Sequence, residues 1–166
     1  MALAGEVVEK LLARKESVAA AESCTAGLAA GAIAAIPGAS NVLWGSYVSY
    51  TPDAKERMLG IHAEFIDEHG AVSEQVALAM AGSAAEKSRA AWAFSITGLA
   101  GPGGGSGELP VGTVWIGLAH NGNRGITAAR HLFSGSRNEV REAAVAAALE
   151  TLLDAIEALP ASGPGN

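Results

Sequence analysis

Residues 17–27 read SVAAAESCTAG. A short apolar run, Ser17 to Ala21, closes on Glu22, Ser23, Cys24 and Thr25 and then passes into alanine, glycine and leucine. The run reads as a buried strand. The polar cluster reads as its junction with a helix over residues 26–36, with Ser23 or Thr25 as cap. That helix is almost wholly Ala, Gly, Leu and Ile, a composition that predicts burial on all sides, and Pro37-Gly38 stops it.

The same alternation extends outward in both directions. Val7, Leu11 and Leu12 recur at helical spacing, so residues 3–15 form an amphipathic helix. Residues 44–50 alternate aromatic and β-branched side chains as a strand does. Thr51-Pro52-Asp53 starts a short helix through Leu59, a second runs over 63–69 to Gly70, and Ser73 caps a longer one to about Lys87. A strand over 92–97 leads into a glycine-rich loop, 98–112. Strands over 114–119 and 126–133 follow, joined through Asn121-Gly122, a hairpin signal. Val140, Ala144, Leu149, Leu152, Leu153 and Ile156 mark a final helix over 138–159. The pattern predicts an α/β fold, a three-layer α/β/α sandwich with a mixed sheet. Residues 1–159 form a single domain and 160–166 a flexible tail.

Composition sets limits on function. The chain has 166 residues, 49% hydrophobic and 17% charged, enough to bury a real core and too apolar for disorder. Its formal charge of −6 and eleven Lys and Arg residues do not suit a phosphate backbone, so no nucleic-acid partner is expected, although a local anion site is compatible. Cys24 is the one cysteine, and the four histidines show no metal-ligand spacing; neither metal nor cofactor is expected. The N-terminal residues lack the apolar core of a signal peptide, and the longest apolar stretch, 28–36, is too short to span a bilayer. A soluble cytoplasmic protein without membrane contact is the expectation.

Four segments carry candidate chemistry. At the strand-to-helix junction, Glu22, Ser23, Cys24 and Thr25 sit where α/β sheets bind ligands, and helix-terminal amides suit an anion such as phosphate. The plain structural reading is a capped helix with a buried cysteine. Residues 40–55 offer Ser40 and Lys55, since a desolvated lysine can activate a serine. Tyr50 could relay a proton or hold the lysine. Solvent-facing hydroxyls and a partly exposed lysine near a helix start are the bland alternative, and a strand between Ser40 and Lys55 would hold them roughly 25 Å apart, so that they meet only if residues 40–43 fold back as a turn or a neighbouring subunit supplies one of them. The loop after residue 97 is neither a P-loop nor a dinucleotide fingerprint, and its glycines favour a ligand or subunit contact. Arg137 and Arg141, one turn apart at the start of the last helix, suggest an anion held there or a pairing with Glu139 or Glu142.

Together Ala21-Glu22-Ser23-Cys24-Thr25-Ala26-Gly27, Gly38-Ala39-Ser40, the stretch from Tyr50 to Lys55, Thr97-Gly98-Leu99-Ala100-Gly101-Pro102-Gly103-Gly104, Pro110-Val111-Gly112-Thr113-Val114 and Phe133-Ser134-Gly135-Ser136-Arg137 resemble the CinA family C-terminal domain, the bacterial nicotinamide-nucleotide amidohydrolases. The resemblance covers about residues 5–157; Ala26 stands where the family commonly has glycine, a mild change at a helix start. It implies deamidation of nicotinamide mononucleotide to nicotinate mononucleotide and ammonia without a metal, by a serine assisted by lysine and tyrosine. Carried onto this sequence, these are Ser40, Lys55 and Tyr50. Substrate contacts are then expected from Glu22, Ser23, Cys24, Thr25, Thr97, Gly98 and Arg137. Oxyanion donors are expected near Ser40, and Ser23 is the next candidate nucleophile. Apolar helices and the glycine-rich loop suggest a homo-oligomer. A non-catalytic nucleotide-binding module and a purely structural oligomerisation domain are the rival readings.

Overall fold

A computed structural model of the chain describes residues 2–121 and 123–159. The elements in chain order are α1 (Ala2–Arg14), β1 (Val18–Glu22), α2 (Leu28–Ala34), a single 3₁₀ turn (Ala39–Asn41), β2 (Leu43–Val48), α3 (Pro52–Leu59), α4 (Ala63–His69), α5 (Glu74–Ser88), β3 (Trp92–Gly98), β4 (Thr113–His120), β5 (Asn123–Leu132) and α6 (Arg137–Ala158). The sheet runs β2-β1-β3-β4-β5. β1 is parallel to both of its neighbours, whereas β4 is antiparallel to β3 and to β5. This is the mixed α/β/α sandwich expected from the alternation. Gly122 of the expected hairpin signal and the expected tail, 160–166, lie outside the described residues.

The period-two alternation of strands divides the interior into two cores. Val18 and Ala20 of β1 and Trp92, Phe94 and Ile96 of β3 face α1, α2 and α6, where Val7, Leu11, Ile33, Leu149, Leu152 and Ile156 meet them. Ala19, Ala21 and Ala93 face the other way, toward Leu59, Ile66, Val76, Met80 and Ala84 of α3, α4 and α5. Side chains on this second face are small because α5 lies close. The Ser95 hydroxyl donates to the Ala77 carbonyl at 2.7 Å, and a Cβ on Gly117 would stand 2.6 Å from that same oxygen.

Two helix expectations needed correction. The helix after β1 begins at Leu28, and Ala29 and Ile33 are its buried residues, with Leu28 41% exposed. Its apolar composition is therefore no sign of burial all round. Neither Ser23 nor Thr25 caps it; its N-cap is Gly27, with no side-chain cap. The caps expected at Thr51 and Ser73 are present, Thr51 accepting from the Ala54 N–H and Ser73 from that of Val76. Among the described residues no helix is long and apolar enough to cross a membrane.

Topology fixes where function can sit. The chain leaves β1 over one face to reach β2, then crosses the other face through α3, α4 and α5 to reach β3 on the far side of β1. At such a switch the connections diverge and open a crevice at the carboxyl ends of the strands. Residues 23–25, 49–55 and 97–103 all lie there.

Candidate active site

Ser23 follows β1 directly, and its N–H continues the ladder by donating to the Ile96 carbonyl at 2.9 Å. The chain then turns sharply through Ala26 (φ 51°) and Gly27 (φ 94°), and the Ala26 N–H closes the turn on the Ser23 carbonyl at 3.1 Å. Both residues are left-handed, a conformation that costs glycine little and alanine about 1 kcal/mol. A Gly at position 26, as the resembled family commonly has, would relieve that strain.

Glu22 was expected to touch substrate. It is fully buried, and its carboxylate accepts from the N–H groups of Gly27 (2.9 Å), Ala29 (3.1 Å) and Ala30 (3.0 Å) and from the Ser46 hydroxyl (3.2 Å). An internal anion thus occupies the start of α2. Three of the amides that could hold a phosphate there, those of Gly27, Ala29 and Ala30, are already engaged.

Lys55 is a buried lysine. It sits on α3 but is 1% exposed, not the partly exposed lysine expected near a helix start. Its Nζ donates to Ser23 Oγ and to the Ser49 carbonyl, each at 2.9 Å. Burial lowers its pKa to about 8, because the charged amine is held away from water. Parallel pairing explains the meeting: Glu22 lies opposite Val48 in the register, so the residues just past each strand, 23 and 49, come side by side. α3 then folds Lys55 back over them.

Ser40 is not brought to Lys55. It lies on the exposed 3₁₀ turn before β2, whereas Lys55 lies beyond the other end of that strand. Six residues of strand separate the two by about 20 Å. The turn does not fold back along β2, the condition under which they could have met within one chain.

A cleft of about 220 Å³ opens above Ser23 and Lys55. Cys24, Tyr50, Thr97, Gly98, Gly101 and Arg137 are among its walls. Burial pushes the Cys24 thiol up to about 11, which keeps it protonated and a poor nucleophile at neutral pH. The Tyr50 carbonyl lies 3.4 Å from Ser23 Oγ, and its hydroxyl accepts from Arg137 Nη2 at 2.8 Å. Arg137 Nη1 donates to the Gly101 carbonyl at 2.7 Å, tying the glycine-rich loop to α6. Gly101 holds φ 82°, and a Cβ there would stand 2.5 Å from Val111, so glycine is required. Thr97 donates to the Ala71 carbonyl at 2.7 Å and fixes residues 71–72 as another wall.

Thr25 lies outside the cleft, fully buried, with its hydroxyl lacking a hydrogen-bond partner among the described residues. Arg137 and Arg141 pair with neither Glu139 nor Glu142. Glu139 instead closes a capping box with Ser136, and Arg141 reaches the carbonyls of Cys24 (3.0 Å) and Thr25 (3.2 Å). In the sequence Arg141 stands beside Arg137 one turn on, with no signal that it belongs to the site. Among the described residues no group of three or more His, Cys, Asp and Glu side chains is arranged to hold a metal ion.

Chemically, a serine bonded to a buried amine at the floor of a polar cleft can form and break an acyl bond. Comparison with known proteins bears on which one. The family model described as "CinA C-terminal domain" matches residues 1–156. The "Nicotinamide-nucleotide amidohydrolase PncC" of Escherichia coli K12 is 47% identical over 152 residues, covering 92% of each chain. A "CinA-like protein" of Anaeromyxobacter sp. strain K is 49% identical over 146 residues, 88% of this chain but 35% of that longer protein. The crystal structure of the competence/damage inducible protein CihA from Agrobacterium tumefaciens superposes with a TM-score of 0.90 at 41% identity, over 94% of both chains.

Proposed function

The chain belongs to the CinA C-terminal domain family, and from that membership we infer that it is a nicotinamide-nucleotide amidohydrolase, deamidating nicotinamide mononucleotide to nicotinate mononucleotide and ammonia. The nucleophile in this reading is Ser23, with Lys55 as its base. One observation carries the assignment: the buried Lys55 amine lies 2.9 Å from Ser23 Oγ at the floor of the cleft.

The chemistry follows from that pair. Neutral Lys55 takes the Ser23 hydroxyl proton as Oγ bonds to the carboxamide carbon, and the carbonyl π electrons move onto oxygen. The tetrahedral intermediate collapses, the C–N bond breaks, and Lys55 returns the proton to the departing nitrogen, which leaves as ammonia. Water then attacks the acyl ester, giving one proton to Lys55. Ser23 Oγ leaves and takes that proton back. The sum is amide plus water giving acid plus ammonia, and no step calls for a metal. The Ser49 carbonyl accepts from Lys55 Nζ whether the amine is charged or neutral, and so keeps its lone pair aimed at Ser23.

The substrate phosphate needs a cation and amides that are still available. Glu22 already holds the start of α2, so the reading favours Arg137 with the loop 98–103. Tyr50, bonded through its hydroxyl to Arg137 and close to Ser23 through its carbonyl, joins the phosphate end to the reacting end. A cytoplasmic enzyme goes with this reading, in keeping with a nucleotide substrate. A homo-oligomer is supported by outer strand β2, where Trp44 is 50% and Val48 39% exposed.

The test is ammonia release from nicotinamide mononucleotide, with a chelator present. Wild type and Ser40→Ala should be active, and Ser23→Ala and Lys55→Ala inactive. Activity in Ser23→Ala with loss in Ser40→Ala would overturn the nucleophile assignment. Binding of the mononucleotide without turnover by the wild type would point to a binding module.

A further inference from the structure

The geometry points to Arg141 as a positioning residue for the oxyanion site, acting through the backbone of the turn that carries Ser23. This rests on the reading of Ser23 as nucleophile. The residue after a nucleophile at a strand-to-helix turn is the usual source of one oxyanion donor. Here that donor is the Cys24 N–H. Among the described residues neither it nor the Thr25 N–H bonds to any oxygen, the Cys24 N–H meeting only its own thiol, whereas the other six N–H groups from Ser23 to Ala30 each have an oxygen acceptor. Cys24 also lines the cleft.

The carbonyls of this turn are held from α6. Arg141 Nε donates to the Cys24 carbonyl at 3.0 Å and Nη2 to that of Thr25 at 3.2 Å, while Nη1 donates to Asn138 Oδ1 at 3.1 Å. All three contacts are to neutral oxygens, and no carboxylate pairs with the guanidinium among the described residues. A cation left unneutralised here has two effects. The Cys24 carbonyl belongs to the peptide whose N–H is Thr25's, so Arg141 strengthens that donor directly. The Thr25 carbonyl belongs to the peptide whose N–H is Ala26's, and that N–H donates to the Ser23 carbonyl, in the peptide that ends at the Cys24 N–H. A chain of two hydrogen bonds therefore runs from Arg141 to the donor beside the nucleophile, and such chains polarise cooperatively. Arg141 also fixes the direction of both peptides, so that no reorganisation is needed as negative charge develops on the substrate oxygen.

A merely structural arginine would staple α6 to the turn and loosen the whole cleft when removed. Two ligands separate the roles. The 3-formyl analogue of the mononucleotide can take Ser23 Oγ at its carbonyl carbon, with the Oγ proton passing to Lys55 and the carbonyl electrons to oxygen, and so reports on the oxyanion site. Pyridine mononucleotide, with no acyl group, reports on the rest of the cleft. Arg141→Met should lower kcat about tenfold or more with KM within about twofold, less than the 10²–10³ of losing a donor outright. Affinity for the formyl analogue should fall by the same factor and that for pyridine mononucleotide should hold. Arg141→Lys, which keeps the charge and one donor, should fall between. It carries the same comparison if the Met variant does not fold. Equal losses for both ligands, or wild-type values for the formyl analogue, would overturn the proposal. Ser23→Ala, run in parallel, keeps the two readings apart: full activity in that variant would refute the nucleophile and this proposal with it, whereas an inactive Ser23→Ala beside equal ligand losses in Arg141→Met would refute the role of Arg141 alone.

Discussion

Lys55→Met is the perturbation that tests the site through stability as well as rate. In the wild type the folded pKa is about 8, against the ordinary lysine value of 10.5. Between those values the unfolded chain binds the proton and the folded chain does not. Stability therefore rises with pH across that window. The cost of burying Lys55 is fully present below pH 8 and disappears above the unfolded pKa. It amounts to about 3 kcal/mol at pH 7, of which about half is gone by pH 9.5. Methionine fills a similar volume without charge, but leaves the Ser49 carbonyl without its donor, a loss of about 1–3 kcal/mol. At neutral pH the two effects oppose, so Lys55→Met should match or modestly exceed the wild type. Urea unfolding of both proteins at pH 7, 8, 9 and 9.5 reads the difference. The variant's relative stability should decline steadily with pH as wild type gains, while its activity is lost at every pH. In the wild type kcat/KM should climb through a midpoint near 8, where the amine becomes neutral. Parallel stability curves with a rate midpoint near the ordinary lysine value would refute a buried, depressed Lys55.

Three further outcomes are expected. Glu22→Gln turns an amide toward N–H groups that need an acceptor, and should cost about 2–3 kcal/mol by urea unfolding without altering the pH midpoint of the rate; an unchanged urea midpoint would mean that α2 does not depend on the carboxylate. Gly117→Ala places a Cβ 2.5 Å from Ser95 Oγ and 2.6 Å from the Ala77 carbonyl, and should cost about 3 kcal/mol or lower soluble yield, as overpacking against backbone does. Sedimentation should find more than one copy per particle, and Trp44→Glu should shift it toward a single chain; one copy in both proteins would remove β2 as an interface.

Much of the layer architecture was legible because it depends on period. The strands at 18–21 and 92–97, the stop at Pro37-Gly38 and the Thr51 and Ser73 caps are local properties of the chain. What the period could not convey was how far apart the layers stand. The apolar stretch after Gly27 reads as a fully buried helix because alanine and glycine are compatible with either environment. In the fold one side of α2 packs through Ala29 and Ile33 and the other is open. The acceptor for the first amides of α2 is hidden for a related reason: a carboxylate five to eight residues before its donors is not in the cap position, and it reaches them because the chain doubles back through two left-handed residues.

The site shows the same limit more sharply. Ser23 and Lys55 are 32 positions apart, and nothing between them signals contact. They meet because β1 and β2 are parallel neighbours in a register that sets 22 against 48, and that register is a property of the sheet. Ser40 is nearer to Lys55 in sequence, yet a strand holds its ends apart as firmly as a helix holds i and i+4 together. In a parallel α/β sheet, groups that share chemistry tend to follow different strands, and a serine before β2 is on the wrong side of the sheet for a lysine after it. The residues that can act together here are those just past the carboxyl ends of β1, β2 and β3. Among the serines considered, Ser23 alone meets that condition and also touches the buried amine.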